Sequence, residues 1–337
     1  MKALFTAVAD GTFQLNPESI VGGVTQSEMT TFDNCSEKWY LRYGQLLQRK
    51  GEFSMALHYG SAIHASLEEF YLTKGKRVSW NLPEYPKGTI ITGEMRDAME
   101  QWNHVGAAQI QAYKSQYKND FAVYDFADRI EIEPHVEFEG LILKGKLDGY
   151  PMLKKDKGFY VFDHKTCSRL DGNQMDGWSF RFQFMFYVWL ALKHPDYKKM
   201  PPSGFVINAI KKPELRRKQE ESATQFAERV RLDMLTRPES YFFRDLRHLT
   251  KGDMQRFEND MLRPKLERLK YMYGLADGAE AKRIQAAFLR NRNTDACFHY
   301  GRKCEFFELC KNGWEIESPR FEVRENKHNE LGPVSAE

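Results

Sequence analysis

The order of apolar segments in the middle of the chain limits its possible folds more than any other feature. Short β-rich segments separated by turns are expected at 129–138, 141–149, 158–166 and 204–210. Between the third and the fourth lies FRFQFMFYVWLALKH, which is too long and too apolar for a strand. It predicts a buried helix over about 178–193. This β-β-β-α-β order predicts an α/β fold with a central mixed β-sheet flanked by helices.

Helical patterns lie on both sides of this central region. Thr25 followed by Glu28 is typical of a helix N-terminus, and a helix is expected over about 26–43. Further helical regions are expected at about 61–72, at about 93–117, and in a charged helical insertion at about 211–290. We therefore expect one domain over 25–312, between an irregular N-terminal arm (1–24) and a C-terminal tail (313–337) that is polar and loose after about 325.

Composition excludes several classes of protein. Of the 337 residues, 42% are hydrophobic, which supports a packed core and argues against global disorder. No run of about 18 apolar residues occurs, so no membrane helix is expected. The first nine residues carry one lysine and no long apolar stretch, which predicts no secretory signal. Five cysteines without such a signal favour a reducing cytosol, where cysteines are buried, reactive or bound to metal.

Two carboxylates and a lysine are expected at neighbouring strand ends. Asp148 ends one predicted strand, and Asp163 and Lys165 lie two residues apart on the next, so both face the same side. This set suits a hard cation such as Mg²⁺ or Mn²⁺, with the lysine acting on an attacking water or on the phosphate. The alternative is a turn aspartate before Gly149 and an Asp–Lys pair on an exposed strand edge.

Two pairs of residues at helical spacing could join this group. His64 and Glu68 lie on one helical face, and a neutral imidazole is a suitable third ligand for Mn²⁺. A surface His–Glu pair is the alternative. Gln183 and Tyr187 lie four residues apart in the apolar helix, where a buried glutamine needs a hydrogen-bond partner. They could face the carboxylates, or they could be an ordinary core glutamine and a packed tyrosine.

The cysteines form a second candidate site. Cys297, Cys304 and Cys310 fall within fourteen residues, and Cys35 lies far upstream. Thiolates in threes and fours favour zinc or iron–sulfur clusters. The gaps of six and five residues are wider than the close pairs of structural zinc sites. Ordinary buried thiols remain the alternative.

The order of these motifs resembles the RecB-like nucleases of the PD-(D/E)xK superfamily. In that pattern a helix carries G-x-x-x-H, two successive strands carry G-x-x-D and D-x-K, and a following helix carries Q-x-x-x-Y. The matching segments here are Gly60 to His64, Gly145 to Asp148, Asp163 to Lys165, and Gln183 to Tyr187. One cysteine before this core and three after it resemble the iron–sulfur subset, which includes the AddB nuclease domain and the CRISPR-adaptation nucleases.

The resemblance covers about 27–312 and implies a restriction-endonuclease-like core and metal-dependent hydrolysis of DNA. It implies that the cation is held by His64, Asp148, Asp163 and the backbone carbonyl of His164, with Glu133 as a possible accessory ligand. It implies that Lys165 orients the attacking water, and that Gln183 and Tyr187 contact DNA or brace the lysine strand. It also implies a four-iron four-sulfur cluster that joins the two ends of the domain, held by Cys35, Cys297, Cys304 and Cys310. Cys167 lies outside the pattern and is interpreted as a small core residue.

Pathway and partners follow from the same resemblance. We expect an exonuclease that favours single-stranded DNA and acts in recombination, repair or replication, in the cytosol of a bacterial or phage-infected cell. The absence of a Walker A motif means that any helicase partner is a separate chain, as would be a recombination protein. Basic clusters that fit a DNA path are Lys144 and Lys146, Lys211 and Lys212, Arg216 to Lys218, and Arg302 with Lys303. The alternatives are a catalytically inactive nuclease fold that binds or assembles on DNA, and a structural zinc protein.

Overall fold

The computed structural model describes residues 15–51, 54–85, 90–275, 293–301, 303–311, 320–328 and 331. The chain divides into two compact units. The terminal unit consists of Met1–Glu52, His135–Gly145 and Gln255–Glu337, and the sheet unit consists of Phe53–Pro134 and Lys146–Met254.

The described chain contains both helices and strands, with most of the strands in a continuous run between residues 124 and 167. The α-helices are α1 (Pro17–Val21), α2 (Gln26–Asn34), α3 (Ser36–Trp39), α4 (Met55–Leu72), α5 (Gly93–Gln116), α6 (Asp120–Val123), α7 (Gly172–Ser179), α8 (Phe182–Lys193), α9 (Ala223–Thr236), α10 (Lys251–Arg256), α11 (Arg263–Met272) and α12 (Phe307–Lys311). The strands are β1 (Val24–Thr25), β2 (Leu47–Arg49), β3 (Tyr124–Asp125), β4 (Ile130–Ile132), β5 (His135–Phe138), β6 (Leu141–Lys144), β7 (Leu147–Gly149), β8 (Met152–Leu153), β9 (Phe159–Cys167), β10 (Pro202–Lys211), β11 (Phe242–His248) and β12 (Phe321–Val323).

A seven-stranded mixed sheet organises the sheet unit. Its main path runs β11-β10-β9-β7-β4, and β3 and β8 pair beside it. Strands β9 and β10 are parallel, and α8 lies between them in the chain, whereas β10 and β11 are antiparallel. The predicted α/β class with a central mixed sheet flanked by helices is confirmed. Residues 160–164 of β9 are all buried, as expected for a central strand that is covered on both faces.

Helices of the sheet unit bury their apolar faces in its core. Ile63, Leu67 and Phe70 recur at helical spacing on α4, and all three are buried. The long apolar segment between β9 and β10 is a helix, as predicted, but it begins at Phe182 rather than at about 178, and its Phe184 and Phe186 are buried. These contacts fix the two helices that carry His64 and Gln183.

Several sequence predictions need correction. The helix expected over 26–43 is interrupted at Cys35, whose backbone is extended, so it forms α2 and α3. The strand expected over 129–138 is two strands, β4 and β5, separated by Glu133 and Pro134. Proline has no N–H to donate to a strand ladder, which accounts for the break. The region 211–290 was expected to be helical but contains β11, and its residues 276–290 lie outside the described chain.

The terminal unit contains two small sheets, one of order β1-β6-β5 and one that pairs β2 with β12. The second includes residues 321–323 of the C-terminal tail. Farther along, in the segment expected to be loose, Lys327 is buried and lies 2.9 Å from a carboxylate oxygen of Glu28, which is also buried. A buried carboxylate needs a charged or hydrogen-bonding partner, and this segment supplies one. No helix in the described chain is long and apolar enough to cross a membrane.

Candidate active site

The sheet unit brings His64, Asp148 and the D-x-K segment together. His64 lies on α4, Asp148 on β7, and Asp163 and Lys165 on β9. In the register between the two strands, Gly149 lies opposite Phe162. Next to this pair, Asp148 Oδ2 accepts a hydrogen bond of 2.6 Å from the backbone N–H of His164. One oxygen of Asp148 is therefore committed to holding the D-H-K segment.

The other oxygen of Asp148 faces His64. The distance from His64 Nδ1 to Asp148 Oδ1 is 3.2 Å. Burial alone would lower the pKa of His64, but the Asp148 carboxylate outweighs this and raises it. Burial alone would likewise raise the pKa of Asp148, but His64 and other positive neighbours lower it well below its usual range. His64 is therefore paired with Asp148, and is not limited to the surface pair with Glu68 that the sequence left open.

Asp163 and Lys165 form a close ion pair, with 2.5 Å between Lys165 Nζ and Asp163 Oδ2. The side chain of Asp163 is only 4% exposed. Burial raises its pKa to about 6, although Lys165 opposes the shift, and the nearby Asp148 carboxylate adds to it. The attraction of Lys165 therefore does not fully offset the cost of burying the Asp163 carboxylate in its ionised form. The alternative of an Asp–Lys pair on an exposed edge does not apply, because this segment of β9 is buried.

Glu131 is an acidic residue of this site that the sequence analysis missed. One donor atom each of His64, Glu131 and Asp148 lie within 4.8 Å of one another. Among the described residues, these are the three His, Cys, Asp or Glu side chains whose donor atoms lie this close together. Glu131 has a φ of +52°, unusual for a residue with a side chain, and its carboxylate lies 2.9 Å from Lys146 Nζ. Burial and the Asp148 carboxylate raise its pKa, against the effect of Lys146.

Glu133, the accessory ligand expected from the sequence, is exposed and lies just beyond β4. The two glutamates are two residues apart, so simple strand alternation treats them alike. The turn at Pro134 and the positive φ of Glu131 distinguish them, and neither is visible in the periodicity. The only sequence signal for Glu131 was the pair of glutamates itself.

Gln183 and Tyr187 lie on α8, beside the same carboxylates. Gln183 Nε2 is 3.5 Å from Asp163 Oδ1 and 3.4 Å from the Tyr187 hydroxyl, so both contacts are long hydrogen bonds. Lys165 Nζ lies 5.5 Å from the ring centre of Phe184 on the same helix. The glutamine in this apolar helix therefore faces the site, as one of the two readings of the sequence expected.

The donor set fits Mg²⁺ or Mn²⁺. It consists of carboxylate oxygens and one imidazole, which are ligands that suit these cations. Burial raises the pKa of both Asp163 and Glu131, which disfavours their ionised forms when no cation is bound. A divalent cation would compensate their negative charge. His64, Glu131 and Asp148 are therefore the residues whose donors lie close enough together to hold such an ion. Asp163, on the next strand, is not part of that close group and would approach the ion from β9.

The four cysteines of the second candidate site line one cavity of about 220 Å³ in the terminal unit. Cys35 lies at the break between α2 and α3, and Cys310 lies on α12. The N–H of Cys304 donates to the carbonyl of Cys297 at 2.8 Å, and burial raises the pKa of the Cys304 thiol. No disulfide involves any of the five cysteines of the described chain. Cys167 lies apart from this cavity, on β9, and burial raises the pKa of its thiol to about 11.

Several of the basic residues expected along a DNA path have acidic partners within the protein. Lys146 pairs with Glu131, and Lys211 lies 2.9 Å from Glu214. Arg302 lies outside the described residues. Residues 216–218 are exposed. The structure thus leaves only part of the predicted basic set open to a ligand.

Comparison with curated proteins finds no match to this chain. A family model, that of the PD-(D/E)XK nuclease superfamily, matches residues 24–311. The match includes every element of the site and all four cysteines of the cavity. With its mixed sheet, its D-x-K strand and a match over most of its length, the chain belongs to the PD-(D/E)XK nuclease superfamily.

Proposed function

We propose that this chain is a metal-dependent deoxyribonuclease that uses His64, Asp148, Asp163 and Lys165. The superfamily consists of nucleases that hydrolyse phosphodiester bonds. One observation carries the proposal: His64, Glu131 and Asp148 bring their donor atoms within 4.8 Å of one another, and the Asp163–Lys165 pair lies on the neighbouring strand β9. All of these residues are chemically competent, which argues against a decayed nuclease fold.

We assign different residues to cation binding and to activation of the attacking water. His64, Glu131, Asp148 and Asp163 would hold the cation, together with the carbonyl of His164. When bound, the cation would stabilise charge on the phosphate and lower the pKa of the attacking water.

Lys165 is the residue best suited to act on the attacking water. Its ammonium group is anchored on Asp163 Oδ2 and can donate further hydrogen bonds to a water or to a phosphate oxygen. Gln183 would hold the opposite oxygen of Asp163 and, with Tyr187, contact the DNA strand.

The finer substrate assignment rests on the order of the motifs. Because that order resembles the RecB-like nucleases, we propose an exonuclease that prefers single-stranded DNA and acts in recombination, repair or replication. A helicase or recombination protein would be a separate partner. The exposed basic residues at 216–218 support contact with phosphates, which would make binding depend steeply on salt.

We also propose that the cysteine cavity holds a four-iron four-sulfur cluster. The support is that Cys35, Cys297, Cys304 and Cys310, far apart in sequence, line one cavity. One cysteine before the nuclease core and three after it match the order in the iron–sulfur subset that the sequence resembles, which favours the cluster over a single zinc ion.

A digestion assay tests the nuclease proposal. End-labelled single-stranded DNA, double-stranded DNA and RNA of one sequence are incubated with the protein in Mg²⁺, in Mn²⁺ and in EDTA. We expect stepwise shortening of single-stranded DNA from an end, abolished by EDTA and by Asp148→Asn. Cleavage that persists in EDTA would contradict the metal mechanism. Internal cuts, or preference for RNA or for the duplex, would overturn the substrate assignment but not the mechanism.

A further inference from the structure

Three polar residues, two of them buried and one partly buried, form a row across three neighbouring strands of the sheet unit. Arg244 on β11 lies opposite Asn208 on β10, and Asn208 lies opposite His164 on β9. Asn208 is fully buried and His164 is 3% exposed. Buried polar side chains are costly unless they are hydrogen-bonded, so their partners matter. We call these three residues the cross-strand row.

The hydrogen bonds of the row have only one consistent direction. Arg244 Nε donates to Asn208 Oδ1 at 2.8 Å, and a guanidinium has no acceptor, so the amide oxygen must face it. The amide nitrogen then faces His164 Nδ1, 2.7 Å away. Because this nitrogen can only donate, His164 Nδ1 must accept. A neutral imidazole in this position carries its hydrogen on Nε2.

The far end of the row is firmly anchored. Both terminal nitrogens of Arg244 donate to the carboxylate of Asp120, at 2.7 and 2.6 Å. Tyr71 donates to the same carboxylate at 2.7 Å, and its ring stacks on His164, with 5.6 Å between centres and 20° between planes. Such a paired, partly buried arginine has little freedom to move. The imidazole is thus held by a hydrogen bond at its edge and by a ring on its face.

His164 connects this row to the catalytic segment. It stands between Asp163 and Lys165, and its backbone N–H donates to Asp148 Oδ2. We infer that Asn208 and Arg244 are positioning residues: they fix His164 in its Nε2–H tautomer and so hold its peptide where Asp148 and Asp163 share a cation. This inference rests on the proposed function, since it assigns a purpose to the row only if the site binds a cation. Groups that orient a metal ligand change metal affinity by about 10–100-fold when they are altered; Asn208 contacts His164 directly, and Arg244 acts through Asn208.

The tautomer is measured directly by nitrogen-15 NMR of the imidazole, with His164→Gln used to assign the signal. In the metal-free wild-type protein we expect the proton on Nε2, and a proton on Nδ1 would overturn the inference. Asn208→Asp keeps the shape but replaces the donor with an acceptor. It should move a proton to Nδ1, and an unchanged signal in a folded variant would also overturn the inference.

Cation affinity supplies a second, independent readout. Arg244→Lys keeps the charge but loses the planar group that binds Asn208 and Asp120 together. It should weaken Mn²⁺ binding, measured by calorimetry, by about tenfold or more and lower kcat on DNA with little change in KM. The matched control is Arg247→Lys, on the same strand but paired with the neighbouring Asp245, which should bind Mn²⁺ as the wild type does. Equal Mn²⁺ affinity in both variants and the wild type would overturn the inference.

Neither the NMR nor the calorimetry requires cleavage of DNA. If both give the expected results but no nucleic acid is cut, the proposed function fails and the positioning role stands. If DNA is cut but the tautomer and the affinity do not respond, the nuclease proposal stands and the inference fails.

Discussion

The active site and the cysteine cavity are two candidate metal sites that differ in the type of their donors and in how those donors are brought together. In the active site, hydrogen bonds and ion pairs of the protein itself hold the donors, as between Asp148 and the His164 peptide. In the cavity, the four thiols come from two distant parts of the chain, Cys35 and the segment 297–310, and both apolar and charged residues line the space around them. Oxygen and imidazole donors suit Mg²⁺ or Mn²⁺, whereas thiolates suit iron–sulfur clusters or zinc. The first site is built within the sheet unit from neighbouring strands and a helix, whereas the second joins two segments that are far apart in sequence, so loss of the second should cost more stability.

The largest effect should come from removing the most distant thiol. If Cys35 shares one cluster with Cys297, Cys304 and Cys310, the cluster closes a loop of about 260 residues in the unfolded chain. By analogy with disulfides, closing such a loop is worth about 5 kcal/mol. Cys35→Ala should therefore lose iron, colour and stability together. Iron and sulfide content, absorption near 400 nm and the melting temperature would be measured on the same preparation.

Cys167→Ala is the matched control, because Cys167 lies outside the cavity. It should keep the wild-type iron content and cost only a small amount of packing energy. Wild-type iron content and melting temperature in Cys35→Ala would contradict a shared cluster. Bound zinc without iron would replace the cluster with the zinc alternative.

The next largest effect concerns catalysis rather than stability. Lys165→Ala should lower kcat by about 10²–10³-fold, because it removes a preorganised donor from the reacting phosphate or water. DNA binding, measured by fluorescence anisotropy in Ca²⁺, should change much less. Lys198→Ala removes an exposed lysine after α8 and should cleave at the wild-type rate. Equal rates in both variants would exclude Lys165 from the mechanism.

Sequence reasoning succeeded where one periodicity determines the result. The two-residue spacing of Asp163 and Lys165 and the four-residue spacing of Gln183 and Tyr187 survive any small error in element boundaries. The mixed sheet followed from the order of apolar segments in the same way. These residues therefore converge in the structure as the motif order indicated.

Prediction from the sequence failed where tertiary contacts decide the local conformation. Strand β11, FFRDLRH, is an edge strand whose charged residues resemble those of an exposed helix face. Arg244, which looks like a surface residue in the sequence, is partly buried against Asp120. The break at Cys35 and the positive φ of Glu131 have no pattern of their own. The expected role of Glu133 stays a prediction.

The third prediction concerns the pH dependence of stability, which tests whether burial of the Asp163 carboxylate destabilises the metal-free protein. Burial raises the pKa of Asp163 to about 6, above its ordinary value of 3.8. Between these values the folded protein keeps a proton that the unfolded chain has lost, so the stability of the metal-free protein falls as pH rises through this window. Asp163→Asn lacks this titration. Relative to the wild type, it should gain up to about 3 kcal/mol between pH 4 and pH 7 in EDTA.

Urea unfolding of both proteins at several pH values measures this difference. Asp156→Asn is a control of opposite sign, because the N–H of Gly158 lowers the pKa of Asp156. A difference between Asp163→Asn and the wild type that does not change with pH would contradict an uncompensated carboxylate. Saturating Mn²⁺ should restore the stability of the wild type and leave the variant little changed.

The smallest expected effect is a difference in Mn²⁺ affinity between variants of Glu131 and of Glu133, and it tests which of the two glutamates belongs to the active site. If Glu131 belongs to the ligand set with His64 and Asp148, Glu131→Gln should weaken Mn²⁺ binding by about 10–100-fold, the range found for groups that support a metal site. Glu133→Gln removes the same charge two residues away, from an exposed position, and should change the affinity less than threefold. Calorimetric titration with Mn²⁺ in the absence of DNA measures both. A larger loss in Glu133→Gln would return the accessory role to Glu133, and equal small losses would leave the cation to His64, Asp148 and Asp163 alone.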